Sequence, residues 1–381
     1  MLPVSKTHGP LAARRVLMVC TNLKSQGIET HAVHFAGACA EQNVECLIAA
    51  QPGGFIDKMA RSNGITVVPL KIHAAADLLG LWALFKILRT EKIDVLLGSD
   101  AREFVPIALA GWLAGVTTFL FRHVNAPMKR AEVWWLPRMV ASFLPVSKFT
   151  QNVLVERGVP VESTHVLYSS AEVQPEAQCA SWRAAIRSEM KLPANAVVVG
   201  FVGNLEPYKG SMLLAEAANQ AMAKNPDLHL LWVGPEHLHA SVQQALKAEF
   251  LPRHRWLGWQ LDVRPLYAAV DVLAMPSLCN EAFPRVCIEA QACGTPVLGN
   301  RTAGGLPETL ADGLTGKLLE PEVAAWTAAL LEFAALPAAT RSAQRETVRS
   351  WVHAHFSPAI VIGQFCQLVT TLGSSHKRLT H

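Results

Sequence analysis

Charge is scarce in this chain: 17% of its 381 residues are Asp, Glu, Lys or Arg, against 51% hydrophobic. That balance excludes disorder, which needs low hydrophobicity and high net charge. A net charge of +4 is too small to point to nucleic acid. The eight cysteines include no C-x-x-C pair, which argues against a zinc knuckle or a dithiol redox site. Most have apolar neighbours and read as small core residues. The uncharged run Val105 to Phe121 falls short of a spanning helix and is broken by Gly111, Gly115, Thr117 and Thr118. It reads as a buried helix, a turn at Gly115 and a strand. Met1 to Arg15 is polar and basic, and the apolar run Val16 to Cys20 is too short for a signal peptide. The expectation is a cytoplasmic protein with reduced thiols. No internal repeat or low-complexity tract appears.

What is present is alternation. Short apolar runs (Val16–Cys20, Val44–Ala49, Thr66–Leu70, Val95–Leu97, Thr117–Phe121, Leu144–Val146, His165–Leu167) are separated by helix-like stretches such as Glu29–Glu41, Asp77–Thr90 and Lys148–Arg157. Strand and helix in turn mean an α/β fold with a parallel sheet covered on both faces. The pattern loosens from Ala171 to Pro193 and restarts with Ala196–Val202, His229–Val233, Trp256–Leu257, Val272–Met275, Pro296–Gly299 and Gly316–Leu319. The expected architecture is therefore two doubly wound, Rossmann-like domains facing across a cleft. The boundaries fall at 1–172 and 173–355, and 356–381 forms a C-terminal helix packing back on the first domain, with a polar tail. Residues 1–172 hold 17 Lys and Arg against 13 Asp and Glu, and the remainder hold 17 against 17. The whole positive excess lies in the first half, where an anionic partner is expected.

Familiar nucleotide signatures are missing. The first strand runs into Cys20-Thr-Asn-Leu-Lys-Ser-Gln-Gly27, without G-x-G-x-x-G, and there is neither a P-loop nor a G-x-S-x-G elbow. Chemistry-bearing residues concentrate between Met275 and Gly316. Glu281 follows a strand, Pro284 suits the first turn of a helix, and Glu289 falls about two turns into it. Two carboxylates so placed can accept hydrogen bonds from one elongated, hydroxyl-rich ligand. In isolation they read as two solvated glutamates, one near a helix start where acids are favoured.

This stretch resembles the signature of retaining nucleotide-sugar glycosyltransferases with the two-domain GT-B fold, specifically glycosyltransferase family 4. The family's E-x7-E matches Glu281 and Glu289, and its A-C-G-T-P-V stretch is Ala292 to Val297. Its G-G-x-x-E and D-G-x-x-G elements match Gly304 to Glu308 and Asp312 to Gly316. The resemblance implies that Glu281 bonds the donor sugar hydroxyls and Glu289 the ribose. It implies that the backbone of Phe283, Pro284, Arg285 and Val286 approaches the sugar and diphosphate. In Gly203-Asn204-Leu-Glu-Pro-Tyr-Lys209-Gly210, Lys209 matches the diphosphate-binding lysine. Its alternative is an exposed turn lysine. Two positions depart from the family. Asn204 stands where Arg is usual, which removes a cation unless Arg285 or Arg301 substitutes. Pro284 stands where Gly is usual, which removes a backbone N–H. In the first domain Ser25-Gln26-Gly27 opens a helix, and Gly27 keeps one glycine of the family's phosphate-approaching pair. By the same resemblance His123 faces the reacting sugar, its alternative being a strand-end hydrogen bond. Ser147 reads as a helix N-cap. The base would rest near Trp259 and Gln260. No D-x-D occurs, so no metal or other cofactor is expected, and leaving-group charge falls to Lys209 and helix dipoles.

The implied activity is transfer of a hexose from a nucleoside diphosphate sugar to a glycan or lipid-linked glycan with retention, in cell-surface polysaccharide or lipopolysaccharide biosynthesis. Met128 to Ser142 combines Lys129, Arg130 and Arg138 with Trp134 and Trp135. Such a pairing suits peripheral contact with an anionic membrane surface at its inner face, or else a core-packed helix with solvated charges. Two further readings stay open: a non-catalytic nucleotide-sugar-binding assembly subunit, and a sugar-nucleotide epimerase or hydrolase on the same fold.

Overall fold

The structure, a computed structural model, describes residues 14–21, 27–74, 76–125 and 128–376. It divides into two compact units, the chain passing from the first to the second between Ser170 and Ala171 and returning between Ser357 and Pro358.

The first unit runs β1 (Val16–Val19), α1 (Gly27–Glu41), β2 (Cys46–Ala50), α2 (Phe55–Ser62), β3 (Val67–Pro69), α3 (Leu78–Thr90), β4 (Val95–Gly98), α4 (Phe104–Ala114), β5 (Thr117–Arg122), α5 (Arg130–Met139), β6 (Ser142–Pro145) and α6 (Lys148–Glu156). The second runs α7 (Glu176–Glu189), β7 (Val197–Val202), α8 (Ser211–Met222), β8 (Leu228–Val233), α9 (His239–Ala245), β9 (His254–Leu257), α10 (Arg264–Ala269), β10 (Val272–Met275), α11 (Arg285–Ala292), β11 (Val297–Asn300), β12 (Gly316–Leu319), α12 (Val323–Ala335) and α13 (Ala338–Phe356). The last helix, α14 (Pro358–His376), belongs to the first unit, where it packs on α1 and β5.

Each unit holds a parallel six-stranded sheet, in the orders β3-β2-β1-β4-β5-β6 and β12-β11-β10-β7-β8-β9. These are the same topology twice, and each order reverses direction beside its first strand, where α/β sheets bind ligands. Successive residues of a strand point to opposite faces. Val16 and Met18 accordingly meet α1, α2 and α14, while Leu17 and Val19 meet α3 and α4. Burial on both faces is why the strands read as unbroken apolar runs. The uncharged run at 105–121 resolves into α4, a left-handed Gly115 (φ +68°) and β5. Ser147 caps α6, accepting from the Thr150 amide at 3.0 Å.

One expected strand does not form. His165 and Leu167 donate to the carbonyls of Phe143 and Pro145, but only Thr164 forms a bridge, to Phe143. The chain then leaves towards α7 before a ladder is established, so the sheet stops at β6.

In the second unit Asp271 ties the central strands together. It lies just before β10, is 5% exposed, and accepts from the Val198 amide at 2.7 Å. Arg183 and Arg187 of α7 reach it at 2.5 and 3.2 Å. Burial alone would raise this carboxyl. Arg183, the Val198 amide and Arg187 outweigh it and hold the group below its ordinary value. Its stabilising contribution is thus present above the unfolded carboxylate value and is lost as pH falls through the lower folded one. Asp271→Ala should cost about 2–4 kcal/mol, since it leaves two arginines half-buried without their partner. Urea unfolding at neutral pH measures this, and the gap between wild type and variant should narrow as pH is lowered towards the folded value.

Candidate donor site in the second unit

The site assembles where the second sheet reverses its strand order, at the carboxyl ends of β7 and β10, which pair in parallel. After β7 the chain makes a 3-10 turn, Pro207–Lys209, and enters α8 through Gly210. Gly210 has φ +77°, and a Cβ there would lie 2.0 Å from the Pro276 carbonyl oxygen. Only glycine lets this turn press against the end of β10. The Leu278 amide donates to the Tyr208 carbonyl at 2.8 Å and closes the join.

The result is an ion pair: Lys209 Nζ lies 2.7 Å from Glu281 Oε1, both side chains largely buried. Burial alone would lower the lysine's pKa, but the Glu281 carboxylate outweighs it and holds the ammonium above its ordinary range. The Ser277 hydroxyl donates to the same carboxylate oxygen. The backbone of Glu281 is clamped as well. It bridges to Gly304, and the Gly305 amide donates to its carbonyl at 2.7 Å. A Cβ on Gly304 (φ +58°) would come within 2.6 Å of that carbonyl oxygen. The paired glycines therefore hold the backbone of Glu281.

Glu289 lies on α11, whose N-cap is Pro284. Its carboxylate takes Arg285 one turn earlier at 2.8 Å and the buried Tyr267 hydroxyl at 3.3 Å. Burial and Glu289 together push the Tyr267 phenol well above its ordinary value, so it stays a donor. Phe283 turns inward, its ring 5.5 Å from that of Phe356, which leaves its backbone as the part able to meet a ligand. Val286 packs into the core beneath α11. Asn204 is exposed beside Gly203 (φ +148°). Of the two arginines that could replace a cation at 204, Arg301 is turned to Asp312 and Glu320, at 3.2 and 3.4 Å. Arg285 stays beside Glu289. Trp259 and Gln260 follow the edge strand β9 and are exposed, Trp259 by 62%.

The remaining motif residues shape the backbone. Gly294 is the left-handed residue after α11 (φ +82°), and Thr295 donates to the Tyr267 carbonyl at 2.6 Å. Asp312 accepts from the Leu318 amide at 2.8 Å, and a Cβ on Gly316 would strike the Val297 carbonyl oxygen.

In the first unit, α1 begins at Gly27, while Ser25 and Gln26 lie outside the described residues. His123 follows β5, its ring stacked on Phe121 and 4.3 Å from that of His31. Sequence reasoning missed Glu103. It is 3% exposed and accepts from the Thr21 amide and hydroxyl at 2.8 and 2.6 Å, pinning the end of β1. Burial lifts its carboxyl to about 7. Ser277 and Tyr267 were missed too. Ser277 sits four residues before its glutamate and was open to notice; Tyr267 reaches Glu289 only through the packing of α10 on α11.

Two family profiles match, one in each unit: "Glycosyltransferase Family 4" over residues 25–173 and "Glycosyl transferases group 1" over 196–335. A D-inositol 3-phosphate glycosyltransferase of Mycolicibacterium gilvum is 35% identical over 197 residues, 48% of this chain and 42% of that protein. The chain thus spans about two fifths of the length of that curated relative. Among solved structures, Anabaena Alr3699/HepE in complex with UDP and glucose superposes with a TM-score of 0.76 at 21% identity, covering 94% of this chain and 100% of that one. The lipopolysaccharide outer core galactosyltransferase WaaB, in its apo form, gives 0.64 at 16%, covering 94% and 99%.

Gly304→Ala should destabilise the protein by about 1–3 kcal/mol, the cost of forcing a side chain into a left-handed position against a carbonyl. Urea titration reads this directly. An unchanged midpoint would mean that the Glu281 loop is not held by this contact.

Proposed function

The chain belongs to glycosyltransferase family 4, with two Rossmann-like domains, and we propose that it transfers a hexose from a nucleoside diphosphate sugar to a hydroxyl of a glycan or lipid-linked glycan, with retention of configuration. The observation that carries this reading is the Lys209–Glu281 pair at the strand-order reversal. It offers a cation for a leaving diphosphate and a carboxylate for sugar hydroxyls within one side chain's reach.

The division of labour follows from charge. Breaking the sugar–phosphate bond builds negative charge on the phosphate, and a cation already in place lowers that barrier without reorganising solvent. Lys209 fills that role, assisted by the amino end of α11, where unsatisfied amides and the helix dipole favour an anion. When donor binds, the diphosphate shares Lys209, and Glu281 turns its lone pairs to the sugar. Glu289 sits beyond, oriented by Arg285 and Tyr267, and takes the ribose hydroxyls. No side chain is assigned as a covalent nucleophile; the departing phosphate oxygen receives the acceptor's proton on the face from which it left. Lysine and helix supply the positive charge, so we expect no metal requirement. UDP is the first nucleotide to test, because the Anabaena neighbour was solved with UDP and glucose. Involvement in cell-surface polysaccharide or lipopolysaccharide assembly draws its support from the name of the WaaB neighbour.

Thermal-shift measurements with UDP, GDP, ADP and their sugars test the donor site, since a ligand bound only to the folded state raises apparent stability. One nucleotide should give a clear shift that EDTA leaves unchanged. In a transfer assay, Glu281→Ala and Lys209→Ala should each lower kcat/KM by about 10²–10³-fold, the usual cost of losing one preorganised charge. Nucleotide binding without transfer to any acceptor would favour the non-catalytic binder, whose motive is the neutral Asn204.

A further inference from the structure

The donors that reach the Glu281 carboxylate all meet one of its two oxygens. Lys209 Nζ lies 2.7 Å from Oε1, the Ser277 hydroxyl donates to that same oxygen, and the Cys279 thiol lies 3.7 Å from it. Among the described residues no hydrogen bond reaches Oε2. The carboxylate thus has one anchored oxygen and one open oxygen. An ionised carboxylate only accepts, so the open oxygen is available to a ligand's hydroxyl protons.

The two main anchors differ in kind. Lys209 is a charge on a flexible stem, and it follows whatever anion comes near. Ser277 is neutral and fully buried, two residues beyond the end of β10. Its backbone is held from the neighbouring strand: Asn300, the last residue of β11, donates from Nδ2 to the Ser277 carbonyl at 2.7 Å. The Asn300 side chain is fixed in turn, because its Oδ1 accepts from the Thr302 amide and hydroxyl, each at 3.0 Å. The amide group can therefore sit only one way round. β10 and β11 pair in parallel, which brings these residues to adjacent carboxyl ends. Serine has fewer torsions than lysine or glutamate, so fixing its backbone goes far towards fixing its oxygen.

We propose that Ser277 is a positioning residue for the donor sugar: it keeps Glu281 Oε1 anchored when Lys209 is drawn to the diphosphate, so that Oε2 stays aimed at the sugar hydroxyls. The inference rests on the donor-site reading above. In the free protein Lys209 and Ser277 share the work of holding the carboxylate. Once a diphosphate takes a share of the ammonium, the serine hydroxyl is the strong donor left on Oε1. The Cys279 thiol is a weaker donor at a longer distance and does not replace it. A glutamate without this anchor would have to be ordered by the sugar itself, and that ordering is lost affinity. The effect belongs to the sugar end of the ligand alone. The proposed ribose partner, Glu289, has separate supports in Arg285 and Tyr267.

The test is calorimetric titration of the full-length protein with the nucleoside diphosphate that wild type binds, among UDP, GDP and ADP, and with the glucose ester of that nucleotide. Ser277→Ala should bind the diphosphate within about twofold of wild type and the nucleotide sugar about tenfold more weakly, the scale of one lost hydrogen bond to a charged group. Ser277→Thr keeps the hydroxyl and should recover most of that loss. The diphosphate affinity reports that each variant is folded with its phosphate subsite intact. A serine that merely supports the fold would weaken both ligands alike or neither, and either result in Ser277→Ala overturns the proposal while the donor-site reading stands. The proposal is also overturned if Ser277→Thr binds the diphosphate normally and the nucleotide sugar no better than Ser277→Ala. Wild type that binds none of the three diphosphates or their glucose esters removes the donor-site reading, and this inference with it.

Discussion

The candidate site of the second unit converges on the contact between Lys209 and Glu281. A largely buried ion pair is a poor source of stability, because desolvating both charges offsets most of their attraction. It forms here because the surrounding backbone brings the two side chains together. Gly210 lets the lysine's turn lie against Pro276, Gly304 and Gly305 clamp the glutamate's backbone, and Ser277 fills a further lone pair of its carboxylate. Beneath them Asp271 locks β10 to β7, so the two strand ends that carry the pair cannot drift apart. A ligand with phosphate at one end and hydroxyls at the other can take over each half of the pair's interactions.

The two units use one topology for different work. Both place their polar residues at the carboxyl ends of central strands, as an open parallel sheet requires. In the second unit those ends carry full charges, Lys209 with Glu281 and Arg285 with Glu289. In the first the corresponding ends carry Thr21 with Glu103, the Asp100–Arg102 ion pair at 2.6 Å, the buried Arg122 that ends β5, and His123 after it. Glu103 is buried and, among the described residues, has no cation bonded to it; burial lifts its carboxyl to about 7, and a neutral form becomes accessible near physiological pH. The outer face of the first unit carries exposed tryptophans and cations.

Much of this was legible in the chain because it rests on local pattern. Alternating apolar runs and helical stretches predict two parallel sheets, and the failure at His165–Leu167 concerns a three-residue run that donates to β6 without building a ladder. The uncharged run around Gly115 was readable as helix, turn and strand because a glycine ends the helix in a left-handed conformation. Glu281 and Glu289 stood out by their place after a strand and along the next helix, and Lys209 by its match to the family's motif. Their partners did not: Tyr267 is twenty-two residues from Glu289 and meets it only because α10 packs beside α11. Trp134 and Trp135 looked alike in sequence, yet the helix turns one to solvent and the other to the core.

The sequence by itself determined the α/β class, the two-part organisation and the family resemblance, and it marked Glu281, Glu289 and Lys209 as candidates. These depend on residue type and short spacing, which a linear chain displays directly. Tertiary structure decided which charges meet. Lys209 finds Glu281 across seventy-two residues because their strands are neighbours, and Arg301 is drawn away to Asp312 and Glu320. It also decided that Gly304 supports Glu281. Sheet order and helix rotation set those juxtapositions, and both emerge only when distant segments compete to bury their apolar surfaces against one another.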